Sequence, residues 1–252
     1  MLDSYPIQLA ALFGIGVVSG FINTVAGGGS FLTLPLLIFM GLPGAVANGT
    51  NRLGIFLQSL SGISKFRSLG VFPWRFACIV SVPAVFGALL GAHWAVAMGD
   101  AAFKRWLALF MVAMTLFSLY KPKGRFAPAG EEAYSPGRWV AILGAFFVIG
   151  IYGGFIQAGV GFLLLAGMSL TGYDLVRGNA VKVFVILIFT LFALGVFIHG
   201  HKVDYGLGVV LGIGNAVGAR VGAKASVKGG EAFIRRFVTV MMMLFAIKLF
   251  WG

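Results

Sequence analysis

The sequence predicts an all-α integral membrane protein made of two inverted repeats of about five transmembrane segments each, with short broken helices, segments 2 and 7, at the repeat interface. Four observations carry that expectation. The 252 residues are 60% hydrophobic and 10% charged, with a mean hydropathy of +0.99, against roughly 25% charged in a soluble domain. The apolar runs are long and unalternating, unlike the strands of a membrane barrel. Two of those runs are only half a membrane long and follow glycine breaks. Finally, the two halves of the chain align on each other.

The first half is read in order. Helix 1 covers about Ile7 to Val25, 19 residues and enough to span. It breaks at Gly27-Gly28-Gly29. Segment 2, Phe31 to Met40, is ten residues, or roughly 15 Å of helix. A second break at Gly41-Leu42-Pro43-Gly44 precedes helix 3, about Ala45 to Ile63, which opens with Asn48, Thr50, Asn51 and Arg52 in one turn. Glycine frees the backbone and proline removes a donor, so both punctuate helices. At membrane depth such interruptions survive only where protein buries them or where they line a polar cavity. Helix 4 follows at about Phe72 to Met98, with Gly87 and Gly91 as a small-residue packing face. Helix 5 runs from about Phe103 to Tyr120.

The second half repeats the pattern. Helix 6 is about Trp139 to Gln157, segment 7 about Phe162 to Leu170 behind Gly159 and Gly161, helix 8 about Leu175 to Ile198, helix 9 about Tyr205 to Val227 and helix 10 about Phe233 to Trp251. At one constant offset (28 + 131 = 159) Gly28 falls on Gly159, Phe31 on Phe162, Gly41 on Gly172 and Asn48 on Asn179. The steps Gly87-Ala88 and Gly91-Ala92 fall on Gly218-Ala219 and Gly222-Ala223. Upstream, Gly20-Phe21-Ile22 matches Gly154-Phe155-Ile156 after a shift of three. Internal repeats of this kind are a transporter signature. The chain divides into a first repeat (1–120), a polar linker (121–138) and a second repeat (139–252).

Charge placement sets the expected orientation. With five crossings per repeat the second repeat is inverted, and an outside N-terminus puts twelve Lys and Arg inside against three outside, Lys104, Arg105 and Lys202. The positive-inside rule favours that arrangement and makes the linker cytoplasmic. The net charge of +12 therefore reflects helix ends that meet lipid headgroups rather than a nucleic-acid surface. The N-terminal MLDSYPIQLA lacks a basic n-region and reads as the start of the first span. Cys78, the single cysteine, excludes an intramolecular disulfide and reads as a small buried core residue.

Arg52 and Lys182 are the basic residues that these spans place deep in the membrane beside the breaks. Lys182 aligns with Asn51 (51 + 131 = 182), one position before Arg52. A charge at the bilayer centre costs roughly 2.5–3.5 kcal/mol on insertion scales, which an anionic partner would offset. The alternative is a structural cation held by carbonyls of the broken helices. No Asp or Glu falls mid-membrane, so the pattern points to an anionic substrate and away from a cation site. Asn48, Thr50, Asn51 and Asn179 supply neutral donors beside the cations, or else cap helices. Gln157 and Asn23 flank the two breaks. Gly28, Gly29, Gly159 and Gly161 allow close backbone approach, or simple chain reversal, and helix N-termini beyond them would offer unpaired N–H groups and positive dipole ends. Asn215 and Arg220 in helix 9 are weaker candidates, Arg220 as an inward-reaching side chain.

His199, His201 and Asp204 sit close in sequence but lack a third ligand at a standard metal spacing, so they read as loop. No metal or cofactor is implied. There is no G-x-x-x-x-G-K-[ST] stretch to hydrolyse ATP. A secondary transporter is the leading reading. An anion channel is the nearest alternative, and an integral membrane enzyme a distant one, since no carboxylate, nucleophile pair or metal set converges in the membrane.

The glycine cluster with its short apolar helix, the Ala47-Asn48-Gly49-Thr50 turn and the Gly-Ala-x-x-Gly-Ala steps of helices 4 and 9 resemble the sulfite exporter TauE/SafE family over nearly the whole chain. The resemblance implies a multi-pass permease of the inner (plasma) membrane that exports a small sulfur-containing anion such as sulfite, sulfoacetate or another sulfonate, by alternating access. Its partners would be that anion and membrane lipid, with a homodimer as an open assembly. The second repeat departs from the pattern, with Gly178-Asn179-Ala180-Val181 in place of a Gly-Thr turn and a thinner glycine cluster, Gly159-Val160-Gly161.

Overall fold

The structure, a computed structural model, describes residues 5–119, 134–168 and 170–251. Most of the polar linker and the first four residues, with the readings made of them, lie outside that range. The described residues form helices only: α1 (Tyr5–Val25), α2 (Ser30–Phe39), α3 (Gly44–Ser68), α4 (Trp74–Ala97), α5 (Asp100–Leu119), α6 (Pro136–Phe155), α7 (Val160–Met168), α8 (Leu175–His199) and α9 (Tyr205–Trp251). Among the described residues five helical stretches are long and apolar enough to cross a membrane: Pro6–Val25, Trp74–Ala97, Pro136–Phe155, Leu175–His199 and Tyr205–Gly229. α3 is missing from that set because it is polar inside. Asn48, Thr50, Asn51, Arg52, Gln58 and Ser59 are all buried.

The helices interlock across the two halves. α4 packs on α6, and α9 packs on α1. Small residues make both contacts close. A Cβ at Gly87 or Gly91 would run into the α6 backbone at Phe147 and Ile151, and one at Gly214 or Gly218 into α1 at Phe13 and Val17. Without a hydrophobic force between helices in lipid, this backbone approach is what gives dispersion contact. α3 packs on α9 and α8 on α4, which leaves α3 and α8 facing each other at the centre. Those two hold about half of the buried polar side chains among the described residues. The first helix of each half thus packs chiefly against a helix of the other half.

Three expectations are corrected. The stretches read as helices 9 and 10 are one continuous helix, α9, of 47 residues. Lys228-Gly229-Gly230-Glu231 carries no proline and no cap, and glycine permits a turn without requiring one. At 1.5 Å per residue α9 is about 70 Å long, more than twice a bilayer core. Cys78 is exposed on the outer face of α4, not buried in the core; apolar surroundings in sequence do not distinguish a side chain facing lipid from one facing the bundle. Arg220 is also exposed, on the outside of α9.

Candidate functional site

The chain between α1 and α2 crosses the start of α7, where Gly27 meets Gly161. A Cβ on either would overlap the other's backbone, and Gly27 has φ +102°, a conformation that L side chains rarely adopt. One turn on, Phe31 and Phe162, matched in the self-alignment, stack with ring centroids 6.5 Å apart. The two breaks therefore meet face to face through corresponding residues.

Around this crossing each half closes the broken helix of the other. The last carbonyls of a helix are unsatisfied acceptors at its negative end. At the end of α1, Lys182 from α8 donates Nζ to the carbonyls of Asn23 and Thr24, both at 2.9 Å. Asn179, one turn earlier on α8, donates Nδ2 to Val25 O and to Ser226 Oγ, each at 3.2 Å. At the end of α6, Arg52 from α3 donates Nη2 to Gly154 O at 2.5 Å, and Asn48 donates Nδ2 to Phe155 O at 2.8 Å. In both halves the acceptors lie in the last turn of the broken helix, Asn23 to Val25 in α1 and Gly154 and Phe155 in α6. Arg52 and Lys182 are both fully buried, and no Asp or Glu is among the buried charged groups of the described residues.

The two ends are not equally satisfied. At the first break Asn23 Oδ1 accepts from the Gly29 N–H at 2.7 Å and its Nδ2 donates to Gln58 at 3.1 Å. At the first break Asn179 Oδ1 and the Ser19 and Thr24 hydroxyls find no partner, and at the second Asn48 Oδ1 and Gln157 Oε1 find none; the difference is that the second also leaves two nitrogens of its cation unpaired, Arg52 Nε and Nη1. Arg52 lies instead over the Phe197 ring, 4.7 Å from its centroid, a cation–π contact that holds the guanidinium plane. Gln157 has φ +66°, rare for a non-glycine residue, and donates Nε2 to Thr190 at 2.7 Å. Asn48 and Arg52 are four residues apart on one face of α3, and both reach the α6 end, which Gln157 follows. A buried, permanently charged fork with spare donors and no carboxylate near it is suited to holding an oxyanion.

The other residues expected at the site serve the packing around it. Asn51 accepts from Thr33 at 2.6 Å and donates to Ser30 at 3.4 Å, tying α3 to α2. Thr50 accepts from the Asp204 N–H at 2.9 Å, at the start of α9. Gly28, Gly29 and Gly159 turn the N–H groups of the next helices back on the breaks: Phe31 to Gly28 O, Leu32 to Gly29 O and Phe162 to Gly159 O. The unpaired amide cradle expected at the start of α2 and α7 is to that extent already filled. Asn215 is buried with both amide atoms unpartnered. Sequence reasoning passed over Phe197, Thr190, Gln58 and Ser226. Gln58 and Thr190 carried a signal, a polar side chain inside an apolar run; Phe197 carried none.

The family model for the sulfite exporter TauE/SafE family matches residues 12–249. A "Probable membrane transporter protein" of Haemophilus influenzae is 29% identical over 244 residues, covering 96% of this chain and 94% of the relative. The "Probable membrane transporter protein ORF9" of a Sinorhizobium species is 27% identical, covering 96% and 92%. The "Probable membrane transporter protein YfcA" of Escherichia coli K12 is 27% identical, covering 98% and 91%. No solved structure matches the chain.

Proposed function

The chain belongs to the sulfite exporter TauE/SafE family of membrane transporters, and on that premise we propose that it exports a small sulfur-containing anion, such as sulfite, sulfoacetate or another sulfonate, across the inner membrane. Transport is secondary and proceeds by alternating access of two inverted repeats about the crossing of the breaks, with the linker cytoplasmic. The chain binds and moves its substrate and does not transform it.

One observation carries the reading: Arg52, fully buried, keeps Nε and Nη1 free beside the orphaned Asn48 and Gln157 oxygens. Arg52 supplies a planar fork matched to two oxyanion oxygens. The amide oxygens are acceptors, so they suit a protonated oxygen of a weak acid or a hydrating water. Lys182 and Asn179 complete the shell from the other half. Gly159 and Gly161 bring backbone close to the anion, while Asn23, Asn51, Thr50, Gly28 and Gly29 fix the opposite wall.

The test is a ligand panel on purified protein: sulfite, thiosulfate, sulfoacetate, taurine and sulfate. A ligand at about 100 times its Kd stabilises the folded state by about 2.7 kcal/mol, or roughly 5–10 °C for a chain of this size. A net-anionic sulfur compound should give that shift and zwitterionic taurine should not. Stabilisation by none of the anions at millimolar concentration contradicts the reading.

A further inference from the structure

Two flanks of the molecule are related by the repeat but differ in chemistry. On one, α4 and α8 flank grooves of 280 and 450 Å³ that share Phe192, the second with His93 and His199 in its lining. On the other, α3 and α9 flank a groove of 530 Å³. At the constant offset Ser61 corresponds to Phe192 (61 + 131), Ser64 to Gly195 (64 + 131) and Arg220 to Leu89 (220 − 131). A hydroxyl pair and a cation on one flank stand where the other has an aromatic ring, a glycine and a leucine. Packing alone does not call for an exposed arginine there.

The depth of Arg220 follows from the register of the two helices. Leu53 lies against Gly208 and Leu57 against Gly212, and Ser61 donates to Ala216 O at 2.8 Å. α3 and α9 therefore run side by side in the same direction, 155 residues out of step (53 + 155 = 208). Arg220 is then level with Lys65, in the last turn of α3, which ends at Ser68. The groove has a graded wall. Leu57, Leu60, Ile213 and Val217 line its inner length, and Leu60, Ile213 and Val217 are exposed. Ser64 and Arg220 line its mouth. Lys224, exposed one turn beyond Arg220, continues the basic stripe on α9. Among the described residues the ion pairs join Lys104 to Asp100 and Arg177 to Asp174, and none involves this stripe.

We propose that the α3/α9 groove binds an anionic glycerophospholipid, with its phosphate on Arg220 and Ser64 and an acyl chain along Leu57, Leu60 and Val217. The charge at the mouth selects an anionic headgroup, and the apolar wall opening sideways selects a lipid over a free ion. Basic pockets between helices at a membrane face are a recognised form of headgroup site. The groove volume lies within the range of pockets that hold small molecules. The site is separate from the crossing of the breaks, so it stands or falls independently of the transported anion.

The test is native mass spectrometry of the whole protein, delipidated and then titrated with dioleoyl phosphatidylglycerol or dioleoyl phosphatidylcholine. The expected result is one saturable phosphatidylglycerol bound at least about fivefold more tightly than phosphatidylcholine, whose phosphate is the same but whose choline cation is repelled by Arg220 and Lys224. Arg220→Leu, which copies the sister flank, should abolish the preference, and Arg220→Lys should keep part of it. Arg177→Gln, an exposed arginine that has a carboxylate partner, should leave it unchanged. Equal binding of the two lipids, or a preference unaffected by Arg220→Leu, overturns the proposal. So does inorganic phosphate displacing the bound lipid at millimolar concentration, which would make the groove a site for a free anion.

Discussion

The break that ends α1 and the break that ends α6 are the same device built twice, and they differ in how fully it is satisfied. At the first, Lys182 meets two carbonyls, Asn179 a third, and Asn23 closes the turn through the Gly29 N–H. At the second, Arg52 meets one carbonyl and Asn48 one; both breaks leave neutral polar atoms unpartnered, Asn179 Oδ1 and Thr24 Oγ1 at the first and Asn48 Oδ1 and Gln157 Oε1 at the second, but only the second leaves donors of its cation free, Arg52 Nε and Nη1. An unmet buried polar group costs roughly 1–3 kcal/mol. Structure retained at such a cost is where a ligand belongs. On the proposed function the two cations, one position apart in the repeat, divide the work: Lys182 chiefly holds the fold together, and Arg52 chiefly holds the anion.

The crossing should give the largest effect. Gly27→Ala and Gly161→Ala each force a Cβ into backbone, and overpacking costs about 1–3 kcal/mol or more. Gly27 adds about 1–2 kcal/mol for its left-handed backbone. Gly27→Ala should therefore be the worse of the two, with little folded protein recovered from the membrane. Denaturation of the purified variants in detergent measures the gap, and an equal cost would mean that the two breaks bear on the crossing alike.

Lys182→Met comes next. It leaves the Asn23 and Thr24 carbonyls unpaired, for a loss of about 2–4 kcal/mol in stability, with affinity falling less than in Arg52→Gln. A stable Lys182→Met protein that has lost its ligand would reverse the assignment of roles.

The smallest effects fall at the helix starts. α8 is capped by its own Asp174, whose carboxylate accepts from the N–H groups of Val176 and Arg177, each at 2.9 Å. α3 has no cap of its own and is met by Asp100 of α5 through the Gly44 N–H. Asp174→Ala should cost about 1 kcal/mol. The Lys104 side chain, and then the Gly44 N–H, hold the Asp100 carboxylate below the usual range. Its contribution is thus present above an ordinary carboxylate pKa of about 3.9 and fades as pH falls through the lowered value. Asp100 is solvent-exposed, so Asp100→Ala should cost less than Asp174→Ala, and it should flatten the acid limb of a stability–pH profile.

Much of this comparison was legible in the sequence. Gly27-Gly28-Gly29, Gly41-Leu42-Pro43-Gly44 and Gly159-Val160-Gly161 marked the helix ends because backbone freedom and a missing donor act locally. Arg52 and Lys182 stood out because charge is rare in apolar runs. What each cation touches was not legible, since the acceptors lie about 100 residues or more away, on helices of the other half. Phe197 looked like any apolar residue until it lay over Arg52. The run from Lys228 to Glu231 has the polarity of a loop, yet nothing in it stops a helix, so α9 continues through it.

The most direct measurement compares binding and thermal stability on the same purified Arg52 variants. Charge-assisted hydrogen bonds contribute about 1.5–3 kcal/mol each, so Arg52→Lys should weaken anion binding about tenfold or more despite its preserved charge. Arg52→Gln should weaken it further, and both should lose less stability than Lys182→Met. Folded Arg52→Gln protein that binds the anion as tightly as the wild type would contradict the account.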